Sequence, residues 1–213
     1  MHKSISNLIS IKSEVENLEK KLEIIAVAKT FPINHILPLI EFGHNHFGEN
    51  KVQEALSKWT EIKIKRPNIQ LHMIGKLQSN KIKHAVKLFD YIHSVENLKI
   101  AKKIYDEQNK IKKRLKIFLQ VNIGEEPQKA GIKIQDIDEV VNYCKNLNLD
   151  VLGFMCIPPG KTDPTIYFKK MKELNFRYNF KELSMGMSSD YLLASKYNST
   201  FLRIGSKIFG SRI

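Results

Sequence analysis

Eight short apolar runs alternating with helical patterns predict a (β/α)8 TIM-type barrel, an α/β fold whose parallel strands close on themselves. The chain has 213 residues, about 27 per strand–helix unit, near the compact limit for such a barrel. The residues of chemical interest all follow strands, and the first and last strands must meet for them to act together. An open doubly wound sheet has the same periodicity but does not satisfy that second condition.

An amphipathic helix with acidic residues opens the chain over 4–20. Ile24-Ile25-Ala26-Val27-Ala28 reads as a strand over 24–28, buried on both faces as in a parallel sheet. Pro32 and a new helical period force a turn, and a helix follows over 33–42. Strands are expected next at 44–47, 70–74 and 91–93, separated by helices over 51–65 and 79–89. Helices over 97–113 and 134–146 flank a strand at 116–121. Strands at 151–155, 182–184 and 201–204 then alternate with helices over 164–176 and 189–197, and a short helix over 207–210 closes the chain. Nothing between them is long or simple enough to be a linker, so residues 1–213 are expected to form one domain.

Composition narrows the function. Cys144 and Cys156 are the only cysteines and form no CxxC, which points to a reducing compartment, with cytoplasm the expectation. No apolar stretch approaches a membrane span. A net charge of +13 invites a nucleic-acid reading, yet only Arg66, Arg114, Arg177, Arg203 and Arg212 are arginine. Specific nucleic-acid surfaces favour arginine for its bidentate contacts, so a basic nucleic-acid-binding module is the weakest reading.

Lys29 stands at the end of the first strand, on a rigid support at an apolar mouth where desolvation lowers an amine's pKa. Such an amine suits Schiff-base chemistry with an aldehyde. In a barrel it neighbours the end of the last strand, Arg203-Ile204-Gly205-Ser206. The preceding loop, expected over 184–190, reads Ser184-Met185-Gly186-Met187-Ser188-Ser189-Asp190. Barrels bind phosphate with the loops after strands seven and eight, where small residues expose backbone N–H groups and hydroxyls add donors. A lysine amine, a phosphate cradle and an apolar mouth together describe pyridoxal 5′-phosphate. Arg203 can point at the pyridine nitrogen, where a permanent cation weakens the ring as an electron sink.

The chain resembles the YggS/PROSC-type pyridoxal phosphate homeostasis proteins. The resemblance is carried by Ala26-Val27-Ala28-Lys29-Thr30, by Phe47-Gly48-Glu49-Asn50 with the Lys51–Glu54 segment, and by Ile74-Gly75-Lys76-Leu77-Gln78-Ser79-Asn80-Lys81. His93-Ser94-Val95, Gln120-Val121-Asn122-Ile123, Lys129-Ala130-Gly131, Gly153-Phe154-Met155 and the segments at 183–190 and 203–212 continue it to the C-terminus. It implies a barrel like the N-terminal domain of alanine racemase, with the cofactor on Lys29 as an internal aldimine and a role in vitamin B6 handling. It further implies Arg203 at the pyridine nitrogen, Ser188, Gly205 and Ser206 at the phosphate, Ser184 and Met187 beside them, and Asn50 near the cofactor. Three positions depart from the pattern. Ser206 stands where threonine is usual, Asn198 replaces a common glycine, and Lys76 adds a cation near the pocket.

The rival within this reading is an amino-acid racemase, which normally needs a second acid/base group opposite the lysine. In alanine racemase that group is a tyrosine from a separate domain of the partner subunit, and the chain stops ten residues after Arg203. The expectation is therefore a non-catalytic carrier, monomeric, with apoenzymes that use the cofactor as recipients. His44 and His46 alternate on the expected second strand but lack a third ligand, so no metal site is expected. His72 reads as a structural group, Asn50 also as a helix N-cap, and Glu125-Glu126 as a loop pair without acid/base spacing.

Overall fold

The computed structural model describes residues 1–16, 22–160 and 162–211. Helix α1 (Lys3–Val15) precedes β1 (Glu23–Val27), α2 (Ile33–Glu41), β2 (His46–Glu49), α3 (Val52–Lys65) and β3 (Gln70–Met73). Then come α4 (Ile82–Leu88), β4 (Tyr91–Val95), α5 (Leu98–Lys110), β5 (Lys116–Val121), α6 (Ile137–Asn146) and β6 (Asp150–Cys156). The chain ends through α7 (Thr165–Arg177), β7 (Glu182–Met187), α8 (Tyr191–Lys196), β8 (Phe201–Ile204) and α9 (Ser206–Phe209). The end of the helix expected over 4–20 falls at 17–20, outside the described residues.

The strands pair in chain order, all parallel, and β8 returns to β1 with Ile25 opposite Arg203 and Ala26 opposite Ile204. This closure confirms the (β/α)8 barrel and brings the first and last strands together. Alternate residues point inward. Ile25, Tyr91, Phe118, Met155 and Phe201 form an interior cluster, and a larger shell of buried apolar side chains joins the barrel to its helices. Asn97 caps α5, its side-chain oxygen accepting from the Ile100 N–H at 2.9 Å.

Two expected boundaries are corrected. β2 begins at His46 rather than at residue 44, because His44 belongs to the end of α2. Gly43, at φ 91°, and His44 donate N–H groups back to Ile40 and Leu39, the paired bonds that terminate a helix in a left-handed residue. His44 and His46 therefore do not share a strand face. β7 continues to Met187 instead of stopping at residue 184, so Ser184 lies within a strand and not in a loop. Its pairing with β8 shifts register between Ser184 and Met187, around Gly186 at φ 90°.

Candidate functional site

β1 delivers Lys29 to the barrel mouth, and the turn beyond it is clamped from α3. Thr30 adopts φ 68°, an uncommon conformation for a β-branched residue, and donates its N–H to Glu54 Oε1 at 2.7 Å. Lys58 Nζ donates to the Ala28 carbonyl at 2.9 Å, to Glu49 Oε1 at 2.8 Å and to Glu54 Oε1 at 3.1 Å. Trp59 Nε1 adds a bond to Glu49 Oε1 at 2.8 Å. Burial raises the pKa of Glu49, against the pull of Lys58 and Trp59. Burial also acts to raise Glu54, but the Thr30 amide and Lys58 outweigh it and the net shift is downward. These residues hold the backbone on either side of Lys29; Glu54 and Lys58 are spaced i, i+4 on α3 like any ion pair on an amphipathic helix. Asn50 is not the cap of α3; Lys51 occupies that position.

Lys29, Asn50, Met187 and Ser188 line a pocket of about 320 Å³, together with Arg203, Gly205 and Ser206. Its size falls within the ~300–1,000 Å³ range of small-ligand clefts. Val27, Phe31, Ile74 and Ile157 give it apolar walls. At one end the Gly205 and Lys207 N–H groups converge on Ser188 Oγ, at 3.2 and 3.3 Å. Two amides aimed at one oxygen, beside the hydroxyls of Ser188 and Ser206, form the kind of donor nest that suits a phosphate.

Arg203 is only 4% exposed, not a surface ion-pairing residue. Its Nη1 donates to Ser184 Oγ at 2.7 Å and its Nη2 to the Cys156 carbonyl at 2.8 Å, which fixes the guanidinium plane. Ser184 departs from expectation: it is fully buried behind Arg203 and does not line the pocket. Met155 packs in the barrel interior below. Lys76 and Lys129 line an adjoining cavity of about 290 Å³ that shares Asn50, Ile74 and Ile157 with the first. Lys129 Nζ lies 2.6 Å from Glu126 Oε2.

His72 is not an isolated strand-end group. Its Nε2 lies 3.0 Å from His46 Nδ1 and its Nδ1 lies 2.9 Å from His93 Nε2, while His93 Nδ1 lies 2.9 Å from Ser184 Oγ. No single segment signals this row, because its members come from four strands.

Residues 6–213 match the family model of the alanine racemase N-terminal domain. A pyridoxal phosphate homeostasis protein of Vibrio alginolyticus is 34% identical over 224 residues, covering 97% of this chain and 96% of that protein. One from Escherichia coli K12 is 33% identical, covering 91% and 87%. PipY of Synechococcus elongatus PCC7942, solved with PLP bound, superposes with a TM-score of 0.88 at 32% identity, covering 97% of this chain and 100% of PipY. Alanine racemase of Clostridium difficile 630 shares the fold at a TM-score of 0.78, with 14% identity and 56% of its own length covered.

Proposed function

We propose, from the premise that this chain belongs to the alanine racemase N-terminal domain family and within it to the pyridoxal phosphate homeostasis proteins, that it binds pyridoxal 5′-phosphate reversibly and serves intracellular handling of that cofactor. One observation carries the reading: Lys29, Arg203 and the Ser188–Gly205–Ser206 cradle line the same pocket. When bound, the cofactor supplies an aldehyde that condenses reversibly with a primary amine, losing water. Lys29 presents that amine on a turn clamped by Glu54 and Lys58. Ser188 and Ser206 offer hydroxyls, and Gly205 and Lys207 offer amides, to the phosphate. Arg203 holds a fixed positive charge at the ring and discourages protonation of the pyridine nitrogen.

A carrier fits better than a racemase. The relatives at 33–34% identity over nearly the whole chain are homeostasis proteins, whereas alanine racemase is like the chain at only 14% identity. We place the protein in the cytoplasm as a single-domain monomer that passes its cofactor to apoenzymes; no helix among the described residues is long and apolar enough to cross a membrane.

The test is a titration of purified protein with pyridoxal phosphate. A visible absorbance band should appear, vanish on borohydride treatment as the carbon–nitrogen double bond is reduced and the cofactor stays attached, and be absent in Lys29→Ala. No band in the wild type contradicts the reading. Scrambling of chiral alanine faster than by free cofactor favours the racemase instead.

A further inference from the structure

Below the pocket a continuous polar row crosses the apolar barrel interior. It begins at Glu23, whose Oε2 lies 3.5 Å from His46 Nε2 at the opposite end of the barrel from Lys29. It then runs through His46, His72, His93 and Ser184 to Arg203. Barrel shear explains the climb. His46 pairs with Gln70, and His72 is two residues further on; His72 pairs with Tyr91, and His93 is again two further. Each step therefore rises one inward-facing position. His72, His93 and Ser184 are fully buried, while Glu23 and His46 keep part of their surface in solvent.

The two ends dictate the direction of every bond between them. Arg203 has only donors, so Ser184 Oγ accepts from it. Glu23 as a carboxylate has only acceptors, so His46 presents Nε2–H toward it across the 3.5 Å contact. A neutral imidazole with hydrogen on Nε2 has a bare Nδ1, which must accept. His46 Nδ1 thus accepts from His72 Nε2, His72 Nδ1 from His93 Nε2, and His93 Nδ1 from the Ser184 hydroxyl. The opposite polarity would turn a lone pair toward the Glu23 carboxylate and make Ser184 accept twice.

We propose that Arg203, Ser184, His93, His72 and His46 form one directed hydrogen-bond chain, anchored on the Glu23 carboxylate, that positions Arg203 and couples its hold to the anchor at the far face of the barrel. Burial supports the neutral rings this requires. It holds His72 well below the ordinary imidazole range, assisted by the Lys116 ammonium, and does the same to His93, assisted by Arg203. Tyr91 stacks on His72 at 4.1 Å and accepts from Lys116 Nζ, Phe118 stacks on His93 at 4.3 Å, and Phe201 packs against all three rings.

Removing the Glu23 carboxylate, as in Glu23→Leu, removes the acceptor that fixes the His46 hydrogen on Nε2. The neutral rings then also take the other tautomer, and in that form Ser184 accepts from both His93 and Arg203. Ser184 no longer donates to His93, so its oxygen becomes a poorer acceptor and its hold on Arg203 loosens. Arg203 is the residue this fold directs at the bound ring in the function proposed above, on which this half of the inference rests.

The test begins without cofactor. Histidine-15N protein, read by long-range 1H–15N correlation at neutral pH, should show His72 and His93 each as one tautomer with hydrogen on Nε2. Hydrogen on Nδ1 in either ring overturns the assigned direction. Glu23→Leu should convert both rings to tautomer mixtures, and unchanged tautomers overturn the coupling. In the cofactor-loaded protein, Glu23→Leu should shift the pH profile of the visible absorbance; a profile identical to wild type overturns transmission to the pocket. If no cofactor binds, the function proposed above fails while the tautomer result stands independently.

Discussion

Lys29 is positioned by residues that never touch the pocket. Lys58 ties the carbonyl of the preceding residue to two carboxylates, and Glu54 holds the N–H of the next one. Lys58→Met would leave the buried Glu49 carboxylate with only Trp59, and removing one member of a buried pair costs about 3 kcal/mol or more. Urea denaturation should register a loss of that size. Glu54→Ala is milder, because Glu54 is partly exposed: the Thr30 bond to a charged acceptor is lost, about 1.5 kcal/mol, together with a half-exposed ion pair to Lys58 that adds little. Cofactor affinity should fall about tenfold, with the melting temperature shifted by only a few degrees. An affinity equal to wild type by equilibrium titration would show that the clamp does not position the lysine.

At the scale of elements, the end of β7 decides which side chains reach the pocket. Ser184 and Met187 both face inward, toward the interior and the pocket, although they are three positions apart, which strict alternation forbids. The register shift around Gly186 resolves this. A Cβ at Gly186 would meet Ala194 Cβ at 2.6 Å and Leu202 Cδ2 at 3.0 Å, with φ already at 90°. Gly186→Ala should therefore destabilise the fold by about 2 kcal/mol and also weaken cofactor binding, since Met187 and Ser188 must move. Thermal denaturation and titration together check it. The same element shows where sequence reading stops. Apolar runs such as 24–28 and 116–121 announce their strands, and closure follows from their number. A strand interrupted by Met185-Gly186-Met187 has no period, so its last three residues read as loop, and Ser184, expected beside the phosphate positions, instead supports Arg203. His46, His72 and His93 each look incidental in their own strands. Only the shear of the closed barrel aligns them.

The whole molecule keeps imidazoles where protons are unwelcome. Burial, with the charges of Lys12 and His46, depresses His44 to about 3, and burial depresses His72 and His93 as well. An unfolded histidine takes up its proton below about pH 6.5, which the native rings refuse. Their contribution is thus fully present above that pH and is lost as pH falls, for His44 down to about 3. Each should remove about 2 kcal/mol between pH 6.5 and 5. Urea midpoints should drop steeply over that interval and less steeply in His44→Gln; a flat profile contradicts neutral burial. The strand order, the strand-end lysine and the grouping of Ser188, Gly205 and Ser206 in one pocket with it are legible in the chain. The clamp behind Lys29 is not, because Glu54 and Lys58 are spaced like any exposed ion pair on a helix.

The most direct measurement is peptide mapping by mass spectrometry after borohydride reduction of the protein saturated with pyridoxal phosphate. The account requires the mass of the reduced cofactor on the peptide bearing Lys29, stoichiometric and blocked by Lys29→Ala. Label spread over the many surface lysines, with residue 29 unmodified, would contradict it.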